Sequence, residues 1–326
     1  MLYTDAFLAA MEAALRSALP CWGVPETAAL RLLNISENAT WLAGAAPGGL
    51  VVRVHRPGYN SDAAIASELL WMGALRAAGV AETPVHIAAR DGRAIVPLAC
   101  RGLQLRAVGF AFIAGTAPDE GCDRTLWYGR LGEITARLHA HARDWVRPEG
   151  FTRRTWDFEA ICGPRADWGD WRAGIGLDAA GRAVLEAVET GLAAACDGCG
   201  RGPARFGLIH GDMRAANLLV DGDRLAVIDF DDCGFGWLLY DFAAATSFMD
   251  AETVRVLQPH WVAGYRRVAP LPAEDEALLP MFVLLRRLQL VGWIASHADA
   301  PEPQALGAGF TAATVAEGRR WLEGRP

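Results

Sequence analysis

The chain has 326 residues, 52% of them hydrophobic, and a formal net charge of −7. This length can bury one large core or two medium ones, and two lobes are expected. The acidic balance argues against nucleic acid and an anionic membrane as partners, because binding to phosphates requires a basic surface. A cationic substrate is compatible with it.

Two features of the sequence predict a cytoplasmic location. The most apolar stretch, near residues 278–285, ends at Arg286 and Arg287, and it is shorter than the roughly 20 residues of a membrane span. The N-terminus carries Asp5 and Glu12 within an amphipathic helical pattern and lacks a basic leader region.

The seven cysteines are an odd and scattered set, which predicts reduced thiols and no disulfide framework. Cys196 and Cys199 form a single C-x-x-C without a second pair or a flanking histidine. A structural zinc site uses four ligands, so this spacing is interpreted as a coincidence within a loop.

The N-terminal part reads as a strand-rich lobe crossed by a helix. The predicted elements are a helix over 5–19, strands over 30–35, 40–45 and 50–55, a helix over 63–78, and strands over 94–98 and 105–113. Helical periodicity dominates from Asp123 onward. The sequence therefore predicts an α+β protein with an N-terminal lobe at 1–113 and a C-terminal lobe at 114–326.

The strand over 50–55 carries Arg53 among β-branched residues. Strict alternation places Arg53 with Val51 on one face and Val52 with Val54 on the other. The chain contains no lysine, so all 31 basic residues are arginine. A P-loop kinase is excluded, because its Walker A lysine is missing.

The segment from 208 to 241 places His210, Asp212 and Asn217 in the form H-x-D-x4-N, with Asp229 farther along. Protein kinases use this order for a base and two magnesium ligands. The segments 218–220 and 225–228 predict a hairpin around a turn at 221–223, and paired strands would bring Asn217 and Asp229 side by side. The alternative is that these polar residues only form turns.

These motifs resemble a known family. HGDMRAANLL and VIDFDDCGFGWLLYDFA are similar to segments of the phosphotransferase enzyme family, which includes aminoglycoside phosphotransferases, choline kinases, homoserine kinases and stress response kinases. The resemblance implies a bilobal protein-kinase-like fold. It also implies that Asp212 is the catalytic base, that Asn217 and Asp229 bind Mg²⁺, and that Asp241 is a structural brace. The D-x-D-D form, similar to the stress response branch, suggests Asp231 as a further metal ligand.

The resemblance extends upstream through SENATW and VVRVHRPGY to the helix carrying Glu68, and it implies an ATP-binding lobe. The turn that contains Ser36 and Asn38 would cover the phosphates, although an ordinary hairpin tip is the alternative. Arg53 stands where the family carries a lysine that contacts the α- and β-phosphates and pairs with a helix glutamate, here Glu68. A solvated strand arginine is the alternative for Arg53. The hinge that meets adenine would use backbone groups of four residues: Phe110, Ala111, Phe112 and Ile113.

The helical stretch 131–139 has the form G-x3-A-x-L-H, which resembles the central helix of the family. It ends at His139, and His141 follows. Histidines on the inner side of a helix are more often hydrogen-bonded core residues than catalytic ones. Both are therefore interpreted as structural.

Two regions are expected to select the acceptor. Trp156, Trp168 and Trp171 are interleaved with acidic residues, and they could form an aromatic cage for an amine or simply anchor the segment by burial. Arg286, Arg287 and Gln289 could line the cleft for an anionic acceptor.

The sequence predicts an ATP- and Mg²⁺-dependent kinase that transfers the γ-phosphoryl group to a hydroxyl of a small molecule, such as an aminoglycoside, an amino alcohol, a hydroxy amino acid or a sugar. A serine/threonine protein kinase of the stress response type is the first alternative. A nucleotide-binding pseudokinase module, suggested by the missing lysine, is the second.

Overall fold

The computed structural model describes residues 3–118, 123–298 and 301–324. Its strands are Leu30–Ile35 (β1), Ala39–Ala43 (β2), Leu50–His55 (β3), His86–Ile87 (β4), Val96–Cys100 (β5), Leu103–Ala111 (β6), Thr155–Trp156 (β7), Phe206–Ile209 (β8), Leu218–Asp221 (β9), Arg224–Val227 (β10) and Gly234–Trp237 (β11). Its helices are Asp5–Ala18 (α1), Asp62–Ala77 (α2), Arg124–Asp144 (α3), Phe158–Cys162 (α4), Ala179–Cys199 (α5), Tyr240–Ala245 (α6), Ala251–Arg266 (α7), Ala273–Glu276 (α8), Leu279–Ser296 (α9) and Pro301–Leu322 (α10), the last interrupted by a non-helical Gly307.

Local sequence explains where several of these helices begin. In each case a Ser, Thr or Asp side chain at the N-cap accepts a hydrogen bond from a backbone N–H of the first turn, which would otherwise lack an intrahelical partner. These N-cap residues are Thr4, Ser61, Asp123, Asp178 and Asp250.

The described residues form two compact units. Unit 1 contains the described residues up to Ala117, together with Arg147–Arg153 and Leu218–Asp231, and unit 2 contains the others. Unit 1 holds the strand-rich part and unit 2 is mostly helical, so the predicted α+β fold is confirmed. The lobe boundary predicted at 113/114 stays a prediction.

The sheet of unit 1 runs in the order β1-β2-β3-β6-β4, with β5 also paired to β6. Strands β1 and β3 have the predicted bounds. Strands β5 and β6 differ from the predicted ranges because the chain reverses at Arg101 and Gly102, whose φ angles of 50° and 82° form the turn. The core of this unit is built from α1 and the inner face of the sheet.

A second sheet of unit 1 is the hairpin of β9 and β10, in which Leu218 pairs with Val227 and Asp221 with Arg224. This is the predicted hairpin. Two bridges attach it to the rest of unit 1, between Glu82 and Ala226 and between Thr116 and Val220.

Unit 2 contains a three-stranded sheet in the order β7-β11-β8 and the helices from α3 onward. Helices α3 and α7 cross at very short range. An added Cβ on Gly132 would clash with the carbonyl oxygen of Trp261, and one on Gly264 would clash with that of Gly129. Glycine at this crossing lets the two backbones touch.

Helix α9 lies in the core of unit 2 and is buried on nearly all sides. The segment Ala273–Ser296 has a window long and apolar enough to cross a membrane by length and composition alone, but 78% of that window is buried inside the protein. Core helices have the same properties, so the segment is weak evidence for a membrane span.

Candidate active site

Arg53 is a buried cation of unit 1. Strand alternation places it on one face of β3, where its Nη2 donates to Glu68 Oε1 at 2.6 Å and Oε2 at 2.7 Å. The Arg53 Nη1 atom lies 3.4 Å from Asp229 Oδ1. Burial, the largest influence, lowers the pKa of Arg53, but the nearby carboxylates of Glu68, Asp231 and Asp229 outweigh it and raise the pKa overall. The expected ion pair with Glu68 is therefore present, and Arg53 is not a solvated strand residue.

Asp229 follows β10 in a left-handed conformation, with φ of 61°. Aspartate tolerates this region better than most residues, and such conformations cluster at functional sites. Its side chain is 36% exposed, whereas that of Glu68 is fully buried. Unit 1 thus holds a partly accessible carboxylate beside a buried guanidinium.

Asp231 occupies a different environment, since it is only 3% exposed. Its Oδ2 accepts from Asn38 Nδ2 at 2.8 Å and its Oδ1 from Asn60 Nδ2 at 3.0 Å. His55 Nδ1 lies 3.4 Å from Oδ1. Burial raises the pKa of Asp231, but His55, Arg53 and Asn38 outweigh this and hold the pKa well below its ordinary value. Both carboxylate oxygens already bind side chains of unit 1, so Asp231 ties the β1–β2 turn and the residues before α2 to the hairpin. Its suggested role as a metal ligand stays a prediction.

The predicted phosphate turn is the tip of the β1–β2 hairpin, closed by a hydrogen bond from Ser36 N–H to the Asn38 carbonyl at 3.0 Å. Ser36 is exposed and Asn38 is buried. Both polar atoms of the Asn38 side chain are hydrogen-bonded: Nδ2 donates to Asp231, and Oδ1 accepts from the Arg56 N–H. Asn38 therefore fixes the shape of the turn, and any contact of this turn with phosphates stays a prediction.

The predicted hinge begins inside β6, where Phe110 pairs with Val51. The N–H of Ala111 donates to Val85 and that of Phe112 to Gly49, so both donors are engaged within unit 1. Ile113 lies beyond the strand. The adenine-binding role of the hinge stays a prediction.

In unit 2, the loop that follows β8 is held by Asp241. This buried carboxylate accepts from the backbone N–H groups of His210 at 3.1 Å and Gly211 at 2.7 Å, and it lies 2.9 Å from His139 Nε2. Burial alone would raise the pKa of Asp241, but these partners lower it overall. The other nitrogen of His139 lies 3.0 Å from the Tyr265 hydroxyl. His139 is thus a hydrogen-bonded core residue, and Asp241 braces the loop.

Asp212 projects from this loop with a side chain that is 14% exposed. Its Oδ1 accepts from Arg286 Nη2 at 2.6 Å, and its Oδ2 accepts from Asn217 Nδ2 at 2.8 Å. Arg214 Nε lies 3.5 Å from the same Oδ2. The carboxylate is held from both sides, which fixes its plane.

Asn217 points its amide nitrogen at Asp212, since Nδ2 also donates to the Asp212 carbonyl at 2.7 Å. Magnesium prefers oxygen ligands and retains several waters, so few protein ligands suffice. Among the residues that the structure describes, no group of three or more His, Cys, Asp or Glu could hold a metal. The Asn217 oxygen and the accessible Asp229 carboxylate nonetheless have the chemistry that Mg²⁺ requires.

Arg286, one of the residues that could line a cleft for an anionic acceptor, lies against Asp212. Its guanidinium also stacks over Trp168, with 4.6 Å from Cζ to the ring centroid. The neighbouring Arg287 contacts Glu317, with 3.3 Å between Nε and Oε1. Helical periodicity could not orient either residue, because α9 is buried around most of its circumference.

The three tryptophans proposed as an amine cage are core residues. Trp156, Trp168 and Trp171 are at most 7% exposed, and their ring faces are covered by Arg154, Arg286 and Arg172, respectively. A ring face that already carries a guanidinium cannot accept an ammonium group. The tryptophans therefore fit the alternative interpretation, in which they anchor the segment by burial.

No pattern in the sequence singled out Phe248. Its φ of 67° is rare for a bulky residue and indicates local strain. Its ring lies 5.8 Å from Arg214 Cζ and 5.9 Å from the Trp293 ring. Arg214 in turn approaches Asp212, so Phe248 and Trp293 form an aromatic wall beyond that arginine.

Cys196 and Cys199 lie at the end of α5, not in the expected loop. Both are buried free thiols, and burial raises the pKa of Cys196 to about 12. A protonated buried thiol is a poor metal ligand.

The profile of the phosphotransferase enzyme family matches residues 30–278 of the chain. The chain belongs to this family. The match spans both units and includes the loop of Asp212 and the hairpin that ends near Asp229.

Several proteins are similar to this chain over most of its length. The structure of a microcompartment-associated aminopropanol kinase is 41% identical, has a TM-score of 0.89, and matches 95% of this chain and 97% of that one. An amicoumacin kinase in complex with AMP-PNP, Ca²⁺ and Ami matches 96% of both chains with a TM-score of 0.75, and its 18% identity shows the fold alone. An uncharacterized protein of Deinococcus radiodurans is 28% identical over 296 residues, which are 86% of this chain and 81% of that relative.

As a member of the phosphotransferase enzyme family, the chain is a small-molecule kinase that phosphorylates an alcohol group. As a kinase it uses a nucleotide. Arg53 forms the ion pair with the helix glutamate that the resemblance implies, and its place as a substitute for the family's lysine stays a prediction.

Proposed function

We propose that this kinase transfers the γ-phosphoryl group of ATP to the hydroxyl of a small amino alcohol of the aminopropanol type. The observation that carries this proposal is the 41% identity to an aminopropanol kinase over 95% of this chain and 97% of the other. The net charge of −7 is compatible with a cationic acceptor. A cytoplasmic location is part of the proposal.

Asp212 is the proposed catalytic base. Each of its carboxylate oxygens accepts one strong hydrogen bond from the protein, and a carboxylate oxygen has two lone-pair sites, so acceptor capacity remains for a substrate hydroxyl. Asp212 binds that hydroxyl and takes its proton as the new O–P bond forms. The bond between the γ-phosphorus and the bridging oxygen breaks, and ADP leaves.

The nucleotide side of the mechanism uses unit 1. Arg53 binds the α- and β-phosphates, the turn with Ser36 and Asn38 covers them, and the backbone at 110–113 receives adenine. Asn217 and Asp229 are the proposed ligands of Mg²⁺, which neutralises phosphate charge when bound. Asp231 supports this site by holding the turn and the hairpin, and it is a further ligand only if a second ion binds.

The test offers γ-labelled ATP with Mg²⁺ to separate pools of amino alcohols, hydroxy amino acids, aminoglycosides and sugars, and to the protein alone. Each amino alcohol is matched with the same alcohol lacking the amine. We expect label in an amino alcohol phosphate, with kcat/KM at least about 100-fold above the amine-free match, the size of about two lost charge-assisted hydrogen bonds. Label in another pool would change the acceptor class. Label only on protein would support the protein kinase alternative.

A further inference from the structure

We propose that Arg286 is a positioning residue that holds the Asp212 carboxylate in the orientation required for phosphoryl transfer. The inference rests on the proposed function, because it takes Asp212 as the catalytic base. Arg286 comes from α9, 74 residues away in the chain. Its Nη2 contacts the proposed base directly, at 2.6 Å from Asp212 Oδ1.

The guanidinium of Arg286 is fixed on every side. Nη1 donates to the Gly211 carbonyl at 3.3 Å and to Gln289 Oε1 at 3.0 Å, and Nε donates to Ser247 Oγ at 3.0 Å. The side chain is 2% exposed. Nη2 is therefore aimed at Asp212 by a rigid set of contacts within unit 2.

Gln289 is itself oriented by the Tyr240 hydroxyl, which donates to the same Oε1 atom. The Cζ atom of Arg286 lies over the Trp168 ring, and a planar guanidinium can stack on an aromatic face in a way that the ammonium group of lysine cannot. Tyr240, Gln289 and Trp168 thus form a buried frame whose effect is to place one nitrogen at the base.

The charges of this pair depend on each other. A buried cation without a counter-ion is strongly unfavourable, and Asp212 is the carboxylate that contacts Arg286 directly. Burial lowers the pKa of Arg286, but Tyr240 and Asp212 outweigh this and raise the pKa overall. Arg286 is therefore permanently charged, and it balances the charge of the base.

Positioning matters because transfer to an alcohol depends on the alignment of its oxygen with the γ-phosphorus. A displacement of about 1 Å at a reacting group can cost roughly 100-fold in rate. Asn217 and Arg214 both approach Oδ2, whereas Arg286 holds Oδ1. Removing Arg286 therefore takes away the donor to Oδ1 and lets the carboxylate rotate about its contacts at Oδ2. Arg286 is not expected to bind an anionic acceptor, because its guanidinium already pairs with the Asp212 carboxylate.

Arg287 provides a matched control. It is the next residue of α9 and is also buried, at 5% exposure. Its Nη1 donates to the Met249 carbonyl at 2.9 Å, and its guanidinium lies over Phe310 at 4.4 Å. Its carboxylate partner is Glu317. Replacement of Arg287 disturbs the same helix without touching the base.

The experiment measures kcat, KM for ATP, KM for the acceptor and Tm in R286Q, R286K, R286A and R287Q, with D212N in parallel. We expect R286Q to lower kcat by roughly 100-fold while KM for ATP changes less than about twofold. R287Q should lose a similar amount of Tm and keep kcat within about threefold. About 50 mM guanidinium should raise kcat of R286A and leave that of R287Q unchanged, because it restores the lost donors.

Two results would overturn the inference while leaving the proposed function intact. One is an inactive D212N together with R286Q at wild-type kcat. The other, should R286Q not fold, is R286K at wild-type kcat, because a lysine cannot reproduce the planar contacts and is expected to lose about tenfold. A fully active D212N would instead overturn the role of Asp212, and the inference with it.

Discussion

Replacing Arg53 with methionine or with lysine tests how the buried ion pair of unit 1 is built. The Glu68 side chain is fully buried, and both of its oxygens accept from the same Arg53 nitrogen, at 2.6 and 2.7 Å. Methionine removes this partner and leaves an uncompensated buried carboxylate, which costs about 3–5 kcal/mol. Since each kcal/mol shifts Tm by about 2 °C in a large chain, R53M should melt about 6–10 °C lower.

Lysine should behave differently, although it is chemically distinct from arginine. Only Nη2 contacts Glu68, so a single ammonium group can bridge the two oxygens, and the contact of Nη1 with Asp229 at 3.4 Å is the one that is lost. We expect R53K to lie within about 1 kcal/mol of the wild type. In R53M/E68L the buried charge is gone as well, and most of the lost stability should return.

Thermal and urea denaturation of the four proteins measure the stability effect, and ATP titrations measure the phosphate contact separately. We expect KM for ATP to rise strongly in R53M and in R53M/E68L, and only modestly in R53K. An R53M variant as stable as the wild type would refute the reasoning about the pair. A normal KM for ATP in R53M would refute the proposed contact of Arg53 with the ATP phosphates and leave the ion pair with Glu68 unaffected.

Three further outcomes follow from the structure. D229A should weaken Mg·ATP binding by roughly tenfold or more, measured by calorimetry with and without Mg²⁺; equal loss without the metal would contradict a ligand role. The pKa of Asp241 is lowered on folding. Its carboxylate therefore stabilises the fold fully above the unfolded pKa of about 4, and this stabilisation is lost as the pH falls through the folded pKa. The Tm difference between wild type and D241N should therefore shrink below about pH 4, and a gap that is constant from pH 3 to 7 would disprove this. G132A should lower the stability by about 3 kcal/mol or more, because the Trp261 backbone occupies the position of the added methyl group. G73A is the control: its added Cβ meets nothing within 4 Å, so this variant should be neutral or slightly stabilising. Equal Tm values for the two variants would refute the close helix crossing.

The part of the fold that depends on local patterns could be predicted from the sequence. Alternation and turn residues gave β1, β3 and the hairpin of β9 and β10, whose register places Leu218 opposite Val227. The pairing of Arg53 with Glu68 was also expected, because the family resemblance implies an ion pair between a strand cation and a helix glutamate at these positions. These features depend on residues that are close in the chain or on a motif with fixed spacing.

The contacts that depend on tertiary packing could not be predicted. Arg286 and Asp212 are 74 residues apart, and α9 is buried around most of its circumference, so its sequence does not show which face meets the catalytic loop. Asp231 is part of a D-x-D-D motif that suggested a metal ligand, which stays a prediction, but the motif did not show that Asn38 and Asn60 hydrogen-bond to this carboxylate. Charge and motif identify candidate residues, but only the packing decides which partner each one has.

The central claim is that Asp212 is the base of an alcohol kinase, and D212N tests it most directly. Asparagine keeps an oxygen that can accept from Arg286, so the variant preserves a partner for that buried cation, which D212A would remove. The measurement is single-turnover transfer of labelled γ-phosphate to the amino alcohol, with ATP affinity measured on the same samples. We expect no detectable transfer with ATP affinity within about twofold of the wild type. Transfer at the wild-type rate would contradict the account.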